Sequence, residues 1–417
     1  MDLRPEPLRY VMLDALRGFA VMGILLMNIT AFAMPEAGYF NPLAWGGDDP
    51  LNLWVWTVNF VLVDGKMRAM FSMLFGASAL LVIERANACG QNGLTVHLRR
   101  MAALFAFGLL HYYFIWDGDI LTLYAAIGTL VALVFAKSDR RKMRRSMFIF
   151  FGIAFLFWGL LAASFVMVDK GARQPGASQT AIAGATELRQ DLGDPNSPGI
   201  EVQLNRMRGS YHAIAGQRLA KDTFEPLIAI PLFGFETAAL MLLGMLLFRS
   251  GALTGKWPMR RYRNYGLICY AIGLSGTGLV AFAVWQSGFD TIITGVASFS
   301  LSLPFHGLTM LGHAAFAAIL IKRFAQSPFV ARVAATGRAA FTNYLGTSLV
   351  MTFIFYGYGL GWYGWISRWQ TMVVVFIAWG LMLAWSKPWL DRFHYGPLEW
   401  LWRSLARWKW QKLRRMD

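Results

Sequence analysis

The sequence predicts an all-α polytopic membrane protein with about ten transmembrane helices, and three observations carry that prediction. Of 417 residues, 56% are hydrophobic and only 15% charged, more apolar than a soluble domain can bury. Windows of about 20 residues almost free of charge recur along the chain, each long enough to cross a hydrocarbon core of roughly 30 Å as a helix. The basic residues, which give a formal net charge of +16, gather in short connections between apolar runs, where they set membrane orientation. That placement argues against nucleic acid as the partner the charge would otherwise suggest.

Taken in order, the expected spans lie at 11–33, 67–85, 98–115, 119–136, 147–168, 226–248, 264–286, 298–321, 339–357 and 369–388. The run "LNLWVWTVNFVLV" at 51–63 is too short to cross before "DGK" interrupts it. It is expected either in the outer interface or as the first part of a long tilted second helix, an eleventh element in that case. The first span is preceded by "MDLRPEPLRY", contains Asp14 and Arg17 and lacks a small-residue cleavage site after it, so it reads as a retained helix rather than a signal peptide. The whole chain, 1–417, reads as one membrane-embedded domain.

Orientation follows from the loops. Arg85, Arg99 and Arg100, then "KSDRRKMRR", "KWPMRRYR", Lys322, Arg323, Arg332 and Arg338, and the tail "RWKWQKLRR" fall on one side; "PEAGYFNPLAWGGDDP", "WDGD" and "GYGLGWYGWISR" fall on the other. The positive-inside bias makes the first set, with both termini, cytoplasmic. The long connection 169–225 is then extracytoplasmic, and a loop of that length serves as a lid, a docking surface or a passive connector.

Ionisable residues inside spans are costly, so each is a functional candidate. Asp14 and Arg17, three apart on the first helix, share a face and can pair; the alternatives are a structural ion pair, an Arg on lipid phosphate, or an Arg that holds an anionic ligand entering from the cytoplasm. Asn28, farther along, can join two helices through a hydrogen bond. In "HYYFIWDGD", His111 ends the third span while Asp117 and Asp119 begin the fourth. Asp119 alone can be a helix cap, but a buried imidazole oriented by a carboxylate has what a general base needs. His306 and His313 lie two turns apart on the eighth span, with Glu236 in the outer part of the sixth, and Asp64, Lys66 and Arg68 cluster at the outer end of the second; these are secondary candidates for substrate binding or simple structural pairs. The sequence contains no H-E-x-x-H, paired CxxC, phosphate-binding GxxxxGK[ST] or GxSxG, so no metal is expected, and Cys89 and Cys269 are placed too differently to form a disulfide.

The stretches "LDALRGFAVMGILLMNI", "GKMRAMFSMLFGAS", "RRMAALFAFGLLHYYFIWDGDILTLYA", "GRAAFTNYLGTS" and "YGPLEWLWRSL" resemble, in order and over nearly the whole chain, the motifs of the YeiB-like family of bacterial multispanning membrane proteins. That family is similar to the transmembrane acyltransferase superfamily, which includes heparan-α-glucosaminide N-acetyltransferase. The resemblance implies a cytoplasmic acyl-CoA donor, acetyl-CoA in the simplest case, an acceptor on the far side, and a histidine at the centre of the chemistry. Carried onto this chain, it implies His111 as general base or acyl carrier, Asp119 or Asp117 as its orienting group, and Arg17, Arg99 and Arg100, with Asp14 beside them, at the donor phosphates. The first outer loop, 34–50, where the lysosomal relative carries its histidine, has none, so His111 rests on this chain's own polar residues.

The resulting expectation is a multi-pass protein of the bacterial inner membrane that transfers an acyl group to a glycan or small hydroxylated or amino compound, by direct or double displacement. Membrane lipids, the extracytoplasmic acceptor and a second copy in a homodimer are the expected partners. The rival expectation is a transporter whose buried His, Asp and Arg line a substrate or proton path; a third is a non-catalytic scaffold.

Overall fold

A computed structural model of the chain describes residues 10–415. Residues 1–9 of the segment read as a retained N-terminus, and the extreme C-terminus, lie outside the described residues.

The described residues form eighteen α-helices. In chain order these are α1 (Val11–Ala33), α2 (Glu36–Phe40), α3 (Pro50–Leu62), α4 (Lys66–Ala88), α5 (Gly93–Phe114), α6 (Leu121–Phe135), α7 (Arg140–Ala172), α8 (Gln179–Asp191), α9 (Gly199–Met207) and α10 (Tyr211–Ala220). They continue as α11 (Glu225–Arg249), α12 (Met259–Gln286), α13 (Thr291–Val296), α14 (Leu303–Arg323), α15 (Pro328–Arg338), α16 (Ala340–Phe355), α17 (Arg368–Arg392) and α18 (Pro397–Arg407). Among the described residues, eight stretches are long and apolar enough to cross a membrane: α1, Pro50–Ala88, α5, α7, α11, α12, α14 and α17. The protein is all-helical and polytopic.

Several boundaries differ from expectation for identifiable reasons. The run 51–63 is a helix of its own, α3, opened by the Asp49 side chain accepting from the Leu51 N–H at 3.0 Å and separated from α4 by a turn at Gly65. Gly65 has φ +71°, and the His306 ring occupies the space a Cβ would need, so only glycine suits the turn. The eighth expected span is interrupted: α13 and a π-turn at Ala297–Leu301 precede α14. The fourth opens at Leu121, and α6 has only 15 residues, about 22 Å at 1.5 Å per residue, short of a full crossing. By the same arithmetic α7, with 33 residues, is about 50 Å long and runs past the bilayer, where Asp169 near its end meets Arg189 of α8 at 2.7 Å.

Association within a bilayer depends on close backbone approach at small residues. Gly18 of α1 and Gly337 of α15 supply it: a Cβ on Gly18 would strike the Val333 carbonyl, and one on Gly337 the Asp14 carbonyl. Around this crossing pack α4, α16 and α17, whose buried apolar side chains form the central core with α1. α10 and the turn after it lie over the end of α5, where Tyr112 donates to the Asp222 carbonyl at 3.2 Å and Tyr211 donates to the Phe114 carbonyl at 2.9 Å.

Candidate functional site

The corner between α5 and α6 is built by a reversal of chain direction. At the end of α5 the Ile115 and Trp116 amides both return to the His111 carbonyl, at 2.9 and 2.8 Å. Residues 115–120 then run without helix to α6. Gly108, one turn before His111, lets this segment close in, since a Cβ there would strike Thr122 and the Asp119 carboxylate. Irregular backbone at membrane depth is tolerated where it is buried in protein. Here Trp116 buries it, stacked on Phe32 with ring centres 3.9 Å apart.

The turn brings His111 and Asp119 together. His111 Nδ1 lies 2.9 Å from Asp119 Oδ1, and both side chains are almost wholly buried, at 0% and 1% exposure. A carboxylate only accepts, so Nδ1 carries the proton and Nε2 of the neutral ring keeps its lone pair. Nε2 is buried and has no hydrogen-bond partner among the described residues. The second oxygen of Asp119 accepts from the Thr122 amide at 2.9 Å, so the same carboxylate caps the start of α6 and orients the ring. Asp117 does not join this pair: it is 37% exposed and faces Arg218 of α10 at 3.7 Å, because the turn between the two aspartates points them apart.

On the side that the basic loops assign to the cytoplasm, a cavity of about 550 Å³ opens between α1, α4, α5, α6, α16 and α18. Small-molecule sites occupy roughly 300–1,000 Å³. Arg17, Arg85, Arg100, Arg338, Arg403 and Arg407 line it. Arg17 is held by Asp14 at 3.1 Å and by the Ser78 hydroxyl at 2.7 Å. The Arg100 guanidinium stacks over Trp402 of α18, 4.1 Å from the ring centre. Burial, with the like charge of Arg407, holds the Arg403 guanidinium below its ordinary pKa, the state of a cation short of counter-charge. The carboxylate nearest to hand, Glu399, is already committed: it accepts from the Phe341 and Thr342 amides at 2.7 and 3.0 Å and so caps α16. Arg99 points away, exposed on the other face of α5, because neighbouring helix positions diverge by about 100°.

Cavity and dyad meet at one side chain. Tyr344 of α16 lines the inner end of the cavity, and its ring centre lies 5.3 Å from that of His111.

The remaining sequence candidates assemble elsewhere. Arg68 pairs with Glu236 at 2.6 Å between α4 and α11. Lys66 is completely buried, with Nζ donating to the Phe60 carbonyl at 2.5 Å. Asp64 accepts from the Tyr39 hydroxyl at 2.8 Å, and His306 packs on Gly65 with Nδ1 unbonded among the described residues. His313 is fully bonded, by the Tyr270 hydroxyl at 2.7 Å and to the Leu62 carbonyl at 2.7 Å. His306 and His313 thus share a helix without sharing a site.

With this geometry in place, similarity to known proteins settles the family. The protein called YeiB in Escherichia coli (strain K12), described as uncharacterized, is 30% identical over 404 residues, covering 95% of this chain and 96% of that protein. The chain belongs to the YeiB-like family. YxaH of Bacillus subtilis (strain 168), also described as uncharacterized, is similar to this YeiB-like protein at 29% identity over 420 residues, covering 97% and 96%. Residues 247–409 match the family described as "Protein of unknown function (DUF418)". No solved structure matches the chain.

Several residues of the YeiB-like protein's cavity and outer face carry no signal that sequence reading singled out. Tyr344, in "TNYLG", looks like one more aromatic in a span; Arg403 and Arg407 look like ordinary basic residues of an amphipathic tail. Arg218 in the connection 169–225, Tyr356 at the end of the expected span 339–357 and Tyr363 in "GYGLGWYGWISR" are buried together with no motif to mark them. The Arg in "GQRLA" is a slight hint, a cation seven residues before the helix that opens the next apolar span.

Proposed function

We propose that this protein is an acyltransferase of the bacterial inner membrane that moves an acyl group, acetyl in the simplest case, from cytoplasmic acyl-CoA to a hydroxyl or amine presented from the outer side. One observation carries the reading: a carboxylate-oriented histidine with a free Nε2 stands one tyrosine ring away from a cavity lined by arginines.

In this reading Arg17, Arg100, Arg403 and Arg407 hold the phosphates of the donor, for which the planar guanidinium is the suited partner. The acyl thioester extends along the cavity to Tyr344, whose side chain must swing aside to admit it. His111 Nε2 takes the proton from the acceptor O–H or N–H as that atom attacks the thioester carbon. The C–S bond then breaks and the proton passes from His111 to the departing thiolate, leaving CoA as the thiol. Asp119 keeps Nδ1 protonated throughout and stabilises the transient imidazolium. General-base help of this kind contributes about 10²–10⁴ in rate.

The test is direct binding of CoA to the purified protein, followed by transfer of a labelled acetyl group. The reading expects CoA binding that falls when Arg17→Gln or Arg403→Gln is introduced, and transfer that His111→Gln cuts about 10²-fold or more while CoA still binds. A protein that binds no CoA ends it. The transporter reading draws on the buried Lys66, Arg68, Glu236 and His306, which the chemistry above leaves unused; it expects uptake or export in vesicles without CoA. Orientation is part of the proposal. In a background without Cys89 and Cys269, cysteines at exposed Asn196 and Lys137 should react with an impermeant reagent from outside and from inside respectively, and the reverse pattern removes the donor-side argument.

A further inference from the structure

On the outer side of the dyad, five segments bring together polar groups whose hydrogen-bonding capacity is not filled among the described residues. Arg218 of α10 is 3% exposed, yet its Nε and Nη2 have no hydrogen-bond partner among the described residues, and its contact with Asp117 is a loose 3.7 Å. The hydroxyls of Tyr356 and Tyr363, on residues 1% and 0% exposed, are likewise without a partner among the described residues, and the two rings sit edge to face 5.9 Å apart. Burial raises both hydroxyls well above their ordinary pKa, so they stay protonated donors. Arg206 of α9 adds a buried Nε without a partner among the described residues.

Such groups are costly to bury unsatisfied, and here they are held in place rather than left loose. The Gly357 amide donates to the Met207 carbonyl at 2.8 Å, Arg208 Nε donates to the Tyr363 carbonyl at 2.9 Å, and the Gly364 amide donates to the Ala33 carbonyl at 2.8 Å. The tyrosines are therefore fixed against α9 and the end of α1. The carboxylates of the neighbourhood, Asp117 and Glu36, are more exposed and stand at the rim. Trp116 connects this cluster to the dyad: it packs in the same apolar core as Tyr356 and Tyr363, and its ring centre is 6.2 Å from that of His111.

We propose that Arg206, Arg218, Tyr356 and Tyr363 form the acceptor site, and that the acceptor carries an oxyanion, phosphate or carboxylate, beside the hydroxyl or amine that is acylated. The proposal rests on the acyltransferase reading for the word acceptor, but the binding it describes does not depend on acyl transfer. The buried Arg218 guanidinium and two buried phenolic hydroxyls, with the shielded Nε of the half-buried Arg206, can all donate to the lone pairs of an oxyanion; the rim carboxylates match the hydroxyl or amine hydrogens of the same ligand.

The experiment measures binding of glycerol 3-phosphate to the purified protein by the shift it causes in thermal unfolding, with glycerol as the uncharged control. A parallel arm uses nanodiscs with and without phosphatidylglycerol, so that a soluble and a lipid-borne source of the same headgroup chemistry are told apart. The expected result is stabilisation by glycerol 3-phosphate or by phosphatidylglycerol but not by glycerol, with affinity reduced at least tenfold in Arg218→Gln and in Tyr356→Phe. His111→Gln should bind like the parent, which separates this outcome from failure of the catalytic reading. Tyr356→Phe also guards against misfolding: its lost hydroxyl bonds to nothing among the described residues, so the unliganded variant should unfold at the same temperature as the parent or higher. Equal shifts with glycerol, no shift in either arm, or undiminished binding in a folded Arg218→Gln or Tyr356→Phe overturns the proposal.

Discussion

His111 and His313 are both packed within the helical bundle, yet the α5–α6 corner and the α12–α14 seam treat an imidazole in opposite ways. At the seam, His313 accepts from Tyr270 through one nitrogen and donates to the Leu62 carbonyl through the other, so the ring is a cross-link with no capacity left. At the corner, Asp119 takes one nitrogen and the other bonds to nothing among the described residues. The same residue type is structural where both nitrogens are bonded and chemically available where one is left with its lone pair. The Arg68–Glu236 pair ties α4 to α11 elsewhere in the bundle, whereas the corner holds a carboxylate that serves orientation and capping together.

The largest effect that could break this contrast is on stability at the α4–α11 tie. Replacing Glu236 by Gln leaves Arg68 buried without its partner and should lower stability by about 3–5 kcal/mol, read as thermal unfolding in detergent. An equal loss for His111→Gln would erase the distinction between a tie and a reactive group. The next effect is on turnover. His111→Gln keeps volume and part of the hydrogen bonding but cannot take a proton at neutral pH, so transfer should fall about 10²-fold or more with unfolding little changed. His313→Gln should do the reverse, costing about 1–3 kcal/mol of stability through an unfilled bond and leaving turnover near that of the parent. Asp119→Asn is expected to fall between them, losing less rate than His111→Gln and about 1 kcal/mol of capping.

Smaller effects sharpen the donor side. Arg403→Gln should weaken CoA binding about tenfold, the worth of roughly one charge-assisted hydrogen bond, while Arg99→Gln, on the exposed face of α5, should leave it unchanged. If Arg99→Gln weakens binding as much, charge in the loops rather than the cavity wall recruits the donor.

Much of this was legible in the residues. The pairing of Asp14 with Arg17 followed from a spacing of three on a helix, and the His111–Asp119 contact from two polar groups flanking a short turn between apolar runs. Each is local, and local geometry is what spacing encodes. What spacing could not show was direction: that Asp119 turns inward and Asp117 outward, or that Arg100 faces the cavity while Arg99 does not. The arginines of α18 were legible only as charge, because their role depends on where an amphipathic helix comes to rest against α5 and α16.

The sequence by itself determined an all-helical polytopic protein and which titratable groups are placed in or beside its apolar segments, since a bilayer forces backbone bonding within each segment and makes every buried charge conspicuous. Tertiary structure alone decided which of those groups meet. Arg68 is separated from Glu236 by 168 positions and Tyr344 from Gly118 by 226, and the first contact exists where α4 and α11 approach closely at Gly76 and Gly244, whose Cβ atoms would strike the Met241 and Met73 carbonyls. The free nitrogen of His111 and the unfilled hydroxyls of Tyr356 and Tyr363 are properties of that packing, because whether a polar group is satisfied depends on its neighbours in space, which no single segment of the chain specifies.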